Sequence, residues 1–197
     1  MIRRIKNIVP LKASNLDDGE IALIERAQGG DRHAFGELVL RYRVRVVNLV
    51  YRMCGDAETA QDMAQETFVR AWNHLPNYKP RSAFISWLYR IATNATLDML
   101  RRERETVDVD DLPIAAAGKS PEAMLEAKDR AELVQQAVLG LPPASRSVLV
   151  LREYEALSYR EIGDTLGIPI GTVMSRLNYA RTRLSQILEP YLKEAIL

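Results

Sequence analysis

LSYREIGDTLGIPIGTVMSRLNYARTRL, residues 157–184, reads as two helices joined by a tight turn. Ser158 followed three residues later by Glu161 is a capping box, which fixes where the first helix begins. Ile162 and Leu166 then fall on one face at helical spacing. Gly163 leaves room for a close crossing, and Gly167 can take the left-handed conformation that ends a helix. Pro169 helps stop the first helix, and Gly171 or Thr172 can cap the second. Val173, Leu177 and Leu184 supply the inward stripe of that second helix. Its other face carries Met174, Ser175, Asn178, Tyr179 and Arg181, with Arg176 and Arg183 further round. This is the pattern of a helix-turn-helix, whose second helix places side chains on major-groove base edges. A plain helix pair on a bundle shares some of these features, and Arg near a helix end also suits the macrodipole. The rest of the chain decides between the two.

Upstream the pattern is helical almost throughout. Glu20 to Gln28 forms a short helix stopped by Gly29-Gly30. Asp31 caps a longer one through Cys54, with Phe35, Leu38, Val39, Tyr42, Val46, Leu49 and Val50 as its apolar face. Asp56 caps a third, from Ala57 to about Leu75. Two prolines make Leu75–Arg81 a loop, and Ser82 caps a fourth helix from Ala83 to about Arg104. Four helices suffice for a small bundle. Residues 106–119, TVDVDDLPIAAAGK, have no helical period and a cluster of Asp, which is a linker composition. Ser120-Pro121 restarts a helix to Leu139, and Leu141-Pro142-Pro143 breaks it. Another helix to about Glu155 leads into the helix-turn-helix. The expected fold is all-α, with two small helical domains on a flexible acidic linker. The boundaries are an N-terminal arm over 1–18, a first domain over 19–105, the linker over 106–119 and a second domain over 120–192. The linker has little to bury, so the free chain is expected to be a monomer with mobile domains. Fully extended, residues 105–120 reach roughly 50–55 Å. That is on the order of fifteen base pairs of duplex.

The 197 residues are 47% hydrophobic and 27% charged, the balance of a soluble globular protein. No apolar run approaches the ~18 residues of a membrane span. The basic start MIRRIKNIVPLK lacks the apolar core and cleavage site of a signal peptide, so a cytoplasmic location is expected. One cysteine, Cys54, excludes an internal disulfide framework. It falls in an apolar helical stretch and is expected to be buried and inert. His33 and His74 are the only histidines, and there is no Gly-rich phosphate loop or nucleophile motif. No metal, cofactor or enzymatic activity is expected. Net charge is only +1, but it is segregated. Residues 41–105 hold 11 Lys/Arg against 7 Asp/Glu, and residues 106–140 hold 3 against 7. Residues 171–183 carry three Arg and no acid. Such segregation fits different partners for different parts of the chain.

Two further constellations lie in the first domain. In QDMAQETFVRAW, residues 61–72, Asp62, Gln65 and Glu66 share one helix face and Phe68 and Trp72 a neighbouring apolar one. Taken alone this is an amphipathic helix with a solvated face. The Pro-flanked loop with Tyr78, Lys79 and Arg81 follows, and then a helix with Trp87, Tyr89, Arg90 and Asn94 that ends in Arg101, Arg102 and Arg104. Aromatics mixed with bases and an amide suit single-stranded nucleic acid, through stacking, cation–π contact and base-edge hydrogen bonds. For Trp87 a core position is an equal reading.

Over about residues 20–192 the chain resembles the extracytoplasmic-function sigma factors of bacterial RNA polymerase, within the sigma-70 family. The matching motifs are DMAQETFVRAW, FISWLYRIATN and LSYREIGDTLGIPIGTVMSRL, in the family's order and approximate spacing. The resemblance implies a subunit that binds core RNA polymerase, directs it to promoters and helps open the DNA. It implies that Asp62, Gln65 and Glu66, with Phe68, meet the coiled-coil clamp of the polymerase largest subunit. It implies that Tyr78, Lys79, Arg81 and Ser82 hold a flipped base of the −10 element, with Arg90 and Asn94 nearby. Tyr159 to Asn178 matches the helix-turn-helix that reads the −35 element. Thr172, Met174, Ser175, Asn178 and Tyr179 are at its groove-facing positions, and Arg176, Arg181 and Arg183 are expected on phosphates. Relatives often carry Arg and an aromatic where this chain has Met174 and Asn178. A methionine cannot make the bidentate guanine contact of an Arg, so the resemblance does not fix the −35 sequence. Asp108, Asp110 and Asp111 fall where the family's connector runs toward the polymerase active-site cleft. An anti-sigma partner, often membrane-anchored, is also implied. The alternative is a free-standing helix-turn-helix regulator, which has no use for a single-strand-binding surface.

Overall fold

A computed structural model describes residues 18–79, 83–106 and 127–194. All regular elements among the described residues are helical. They are α1 (Asp18–Gln28), α2 (Arg32–Cys54), α3 (Ala57–His74), α4 (Phe84–Thr106), α5 (Ala127–Leu139), α6 (Pro143–Glu153), α7 (Tyr159–Leu166) and α8 (Ile170–Glu194). The fold is all-α, as the sequence predicts. The N-terminal arm before Asp18, Arg81, the capping role of Ser82, the three linker aspartates and the Ser120-Pro121 start all lie outside the described residues.

Local chemistry accounts for most boundaries. The Asp31 carboxylate accepts from the backbone N–H of His33 and Ala34 at 2.9 and 3.1 Å and starts α2. Asp56 does the same for α3 through the N–H of Thr59 at 2.7 Å. Between them Gly55 adopts φ 83, and its N–H closes α2 on the carbonyl of Tyr51. Past His74, Pro76 tightens the chain into a 3-10 turn, Leu75–Asn77, where the sequence predicts only loop. The capping box of α7 is present in both directions, and Gly167 ends that helix at φ 65.

Two expectations fail in this region. α6 stops at Glu153, two residues early, because the chain bends sharply and Ala156 takes a left-handed φ of 57. α8 starts at Ile170, because the carbonyl of Pro169 already accepts from the N–H of Thr172 and Val173 at 2.9 and 3.1 Å. Neither Gly171 nor Thr172 caps it. The close approach at Gly163 is real, since a Cβ there would lie 3.0 Å from the carbonyl oxygen of Ile168.

α1 to α4 form one bundle, in which Leu38, Val46, Leu49, Val50 and Met53 of α2 pack against Ala64, Phe68 and Ala71 of α3 and Phe84, Leu88 and Ala92 of α4. α5 to α8 form a second, around Val148, Leu151, Ile162, Val173, Leu177 and Ala180. The sequence predicts domains that move on their tether. In the structure they pack together, α2 against α5 and α6, and α4 against α6 and α7. The guanidinium of Arg146, only 8% exposed, donates to the carbonyls of Met53 in the first unit and of Leu139 and Leu141 in its own. Gln135 donates to the carbonyl of Tyr51 at 3.3 Å, and Arg52 lies 3.8 Å over the ring of Tyr154. Gly55 admits the Leu139 side chain so closely that a Cβ would meet its Cδ1 at 2.4 Å.

Candidate polymerase- and DNA-binding surfaces

α2 and α3 enclose an open groove of about 550 Å³. Its floor is Phe35, Val39, Val47, Phe68 and Trp72, and Arg43, Gln61, Asp62 and Gln65 stand at its rim. The rings of Phe35 and Trp72 pack with centroids 5.0 Å apart. Asp62 and Gln65 are exposed, while Glu66 is half-buried and paired with Arg70 at 2.7 Å. Phe68 is buried in the groove and not a surface contact in its own right. Sequence reading missed the neighbouring apolar surface, where Leu40 and Val44 are 78% and 66% exposed. Their i, i+4 spacing on the outer face of α2 was the available signal. A polar rim around an exposed apolar trough is suited to another helix pair.

The second surface follows α3. Tyr78 is buried, with its ring edge-on to Phe84 at 5.4 Å and tilted against Trp87 at 4.8 Å. Burial, helped by the nearby Glu20 carboxylate, pushes its hydroxyl up to about 12. The carbonyls of Leu75 and Tyr78 both accept from Gln28 of α1, at 3.0 and 2.8 Å, a tie that no sequence motif signalled. The Tyr78 ring is therefore packed inward and not presented to solvent. Lys79, Arg90 and Asn94 are exposed. Trp87 is half-buried in the same aromatic cluster, and Tyr89 is buried outright. Burial raises the Tyr89 hydroxyl strongly, and the adjoining Glu155 adds to the effect.

The third surface is the outer face of α8. Val173, Leu177 and Ala180 are buried, which turns Met174, Ser175, Asn178 and Tyr179 to solvent. Thr172 and Arg176 are half-buried at its margin. Arg181 is exposed but forked onto the Glu153 carboxylate at 2.6 and 3.2 Å. That bond raises its already high pKa. Arg183 reaches Gln186 at 3.3 Å. An amide, a thioether, a hydroxyl and a phenol side by side, flanked by guanidinium groups, can contact base edges and phosphates together.

Two family models match the chain, Sigma-70 region 2 over residues 38–106 and Sigma-70 region 4 over residues 131–184. The chain is 40% identical to the RNA polymerase sigma-H factor of Pseudomonas aeruginosa, over 88% of this chain and 95% of that protein. It is 36% identical to the ECF RNA polymerase sigma factor SigW of Bacillus subtilis, over 82% and 92%. The chain belongs to the extracytoplasmic-function sigma factors. Among solved structures, this sigma factor is similar to CnrH in complex with the cytosolic domain of CnrY, with a TM-score of 0.66 and 27% identity, covering 88% of this chain and 99% of that one. It is also similar to the sigma factor RpoE in complex with the anti-sigma factor NepR from Bartonella quintana, with a TM-score of 0.64 and 26% identity, covering 79% and 96%. Apart from Phe35, the groove residues and the buried aromatic cluster lie in the region-2 match, and α7 with α8 as far as Leu184 lies in the region-4 match. The sigma factor's family acts in transcription initiation, which makes the free-standing regulator the weaker reading. Among the described residues no helix is long and apolar enough to cross a membrane, and no group of His, Cys, Asp and Glu is placed to hold a metal ion.

Proposed function

We propose that this sigma factor binds core RNA polymerase through the α2–α3 groove and the adjoining Asp62, Gln65 and Glu66 face of α3, with the coiled-coil clamp of the largest subunit as the partner. Residues 19–105 form the polymerase- and −10-binding domain, 106–119 the connector and 120–192 the −35-binding domain. α8 reads the −35 element with Met174, Ser175, Asn178 and Tyr179, beside Thr172. Arg176, Arg181 and Arg183 lie along the phosphates, and Arg181 must first leave Glu153. Lys79, Arg81 and Ser82, with Arg90 and Asn94 of α4, take the unpaired bases of the −10 element beside the buried Tyr78. Capture of those bases offsets the few kcal/mol of unstacking and opens DNA without ATP. The observation that carries this reading is the exposed polar face of α8 in the same chain as the groove.

The free protein is a cytoplasmic monomer in this reading. An anti-sigma protein holds it inactive; both structural relatives named above were solved with a bound partner, and the partner of RpoE is named an anti-sigma factor. The test is capture of purified core polymerase by the wild type and by Asp62→Ala/Glu66→Ala, followed by run-off transcription on genomic fragments. Capture that depends on those acids, together with promoter-specific transcripts, is expected. Retained duplex binding with no capture of core would replace this reading with the free-standing regulator.

A further inference from the structure

The turn that follows α3 is tied to α1 by one side chain. α3 ends at His74, and the chain tightens through Leu75–Asn77 before it reaches Tyr78. A helix end leaves carbonyl acceptors for side chains to meet. Here the Gln28 amide nitrogen donates to two carbonyls, that of Leu75 at 3.0 Å and that of Tyr78 at 2.8 Å. Two carbonyl neighbours admit only the NH2 end of an amide, which can offer one hydrogen to each. The partners lie 47 and 50 residues away in the chain, so the contact is a tertiary one.

Gln28 is itself held in place. It is half-buried in the last turn of α1, where Ile24 and Ala27 are buried. Just beyond it, the Asp31 N–H donates to the carbonyl of Arg26 at 3.1 Å, and the Arg26 guanidinium forks onto Asp31 at 2.7 and 2.9 Å. On the far side of the turn the Tyr78 ring packs against Phe84 and Trp87 of α4. The backbone and the ring of Tyr78 are thus anchored to different helices. Lys79, the next residue, is exposed. Gln28 precedes the region-2 match, which begins at residue 38.

We propose that Gln28 is a positioning residue for capture of the −10 element: it sets the direction in which the chain leaves Tyr78, and with it the place of Lys79 relative to Arg90 and Asn94 of α4. The inference rests on the sigma-factor reading above. Gln28 touches neither DNA nor polymerase in this scheme. A site ordered before the base arrives loses no binding energy to ordering itself. Loss of the tie therefore weakens strand opening. It leaves polymerase binding through the α2–α3 groove and −35 reading by α8 as they are.

The experiment compares Gln28→Met, Gln28→Glu and Gln28→Lys with the wild type, each as the full chain with purified core polymerase on a genomic fragment that the wild type transcribes. Methionine keeps the length without a donor, and glutamate keeps it with an acceptor facing two carbonyls. Lysine keeps a donor, at a helix end that favours a cation. Core capture, permanganate reactivity of unpaired thymines at −10 and run-off transcription are measured. The same fragment with a mismatched, pre-opened −10 serves as the second template. Gln28→Met and Gln28→Glu are expected to lower permanganate reactivity and run-off about tenfold on the duplex, the net worth of one or two hydrogen bonds, with core capture unchanged. The loss is expected to shrink on the pre-opened template, and Gln28→Lys to stay close to the wild type. Opening of the duplex by Gln28→Met at the wild-type level overturns the proposal. So does a loss as large on the pre-opened template, which would place the defect after opening. An equal loss in all three variants, or a parallel loss of core capture, overturns it too and makes Gln28 a packing residue only. If the wild type captures no core polymerase and transcribes no fragment, the sigma-factor reading itself fails, a result distinct from any of these.

Discussion

Asn178 stands exposed on α8, one turn beyond Met174 and next to Tyr179. An amide reads an adenine edge through two hydrogen bonds, whereas the thioether of Met174 has only apolar contact to offer. Asn178→Ala is therefore expected to relax preference at one base pair, by about 1–3 kcal/mol. Arg183→Ala should instead weaken binding to every sequence and flatten its salt dependence. Binding selections at two salt concentrations separate the two effects. Unchanged preference in Asn178→Ala would remove it from the reading face. The exposed residues of this face were legible in the sequence because the inward stripe Val173–Leu177 fixes the outward one. Tyr78 and Tyr89 were not. Aromatic residues among bases look alike whether they face solvent or a neighbouring ring, and only the packing of Phe84 and Trp87 against Tyr78 separates the cases.

At the scale of the elements, charged caps set where α2 and α3 begin, and the sequence displays both. Hydrogen bonding from the Ala34 backbone, then from the Arg26 side chain, holds the Asp31 carboxyl below its ordinary 3.8. Bonds from Thr59 do the same for Asp56. A depressed carboxyl contributes stability that is present above 3.8 and is lost as pH falls through its folded value. Acid should therefore loosen the starts of α2 and α3 below about pH 4. Asp31→Asn keeps a cap acceptor but removes the titration, so helicity followed by circular dichroism should fall less steeply with acid in that variant. An identical acid profile would mean that Asp31 does not contribute. Boundaries without such chemistry were misplaced. No glycine marks the end of α6, because Ala156 supplies the left-handed residue, and the α8 start is set by the carbonyl of Pro169, which carries no side-chain signature.

At the scale of the whole molecule, the sequence displays two helical units but not their contact. Interfaces between domains use the same apolar residues as cores, and the polar groups that join them are far apart in the chain. Arg146 is the clearest case, since 93 residues separate it from Met53, whose carbonyl accepts from it. The carbonyls of Met53 and Leu139 belong to the last turns of α2 and α5, where helices leave acceptors unsatisfied and where the dipole favours a cation. One buried guanidinium thus serves two helix ends, one from each unit. Arg146→Leu keeps an apolar side chain in the site but strands those carbonyls, at a cost of about 3 kcal/mol. Because the lost bonds join the two units, the loss should also divide their unfolding. Calorimetry is expected to record one transition for the wild type and two for Arg146→Leu, the first at a lower temperature. A single transition that merely shifts downward would assign Arg146 to the stability of the second unit alone, since Leu139 and Leu141 lie there, and would leave the docking to Glu155 and to the packing of Leu139 over Gly55.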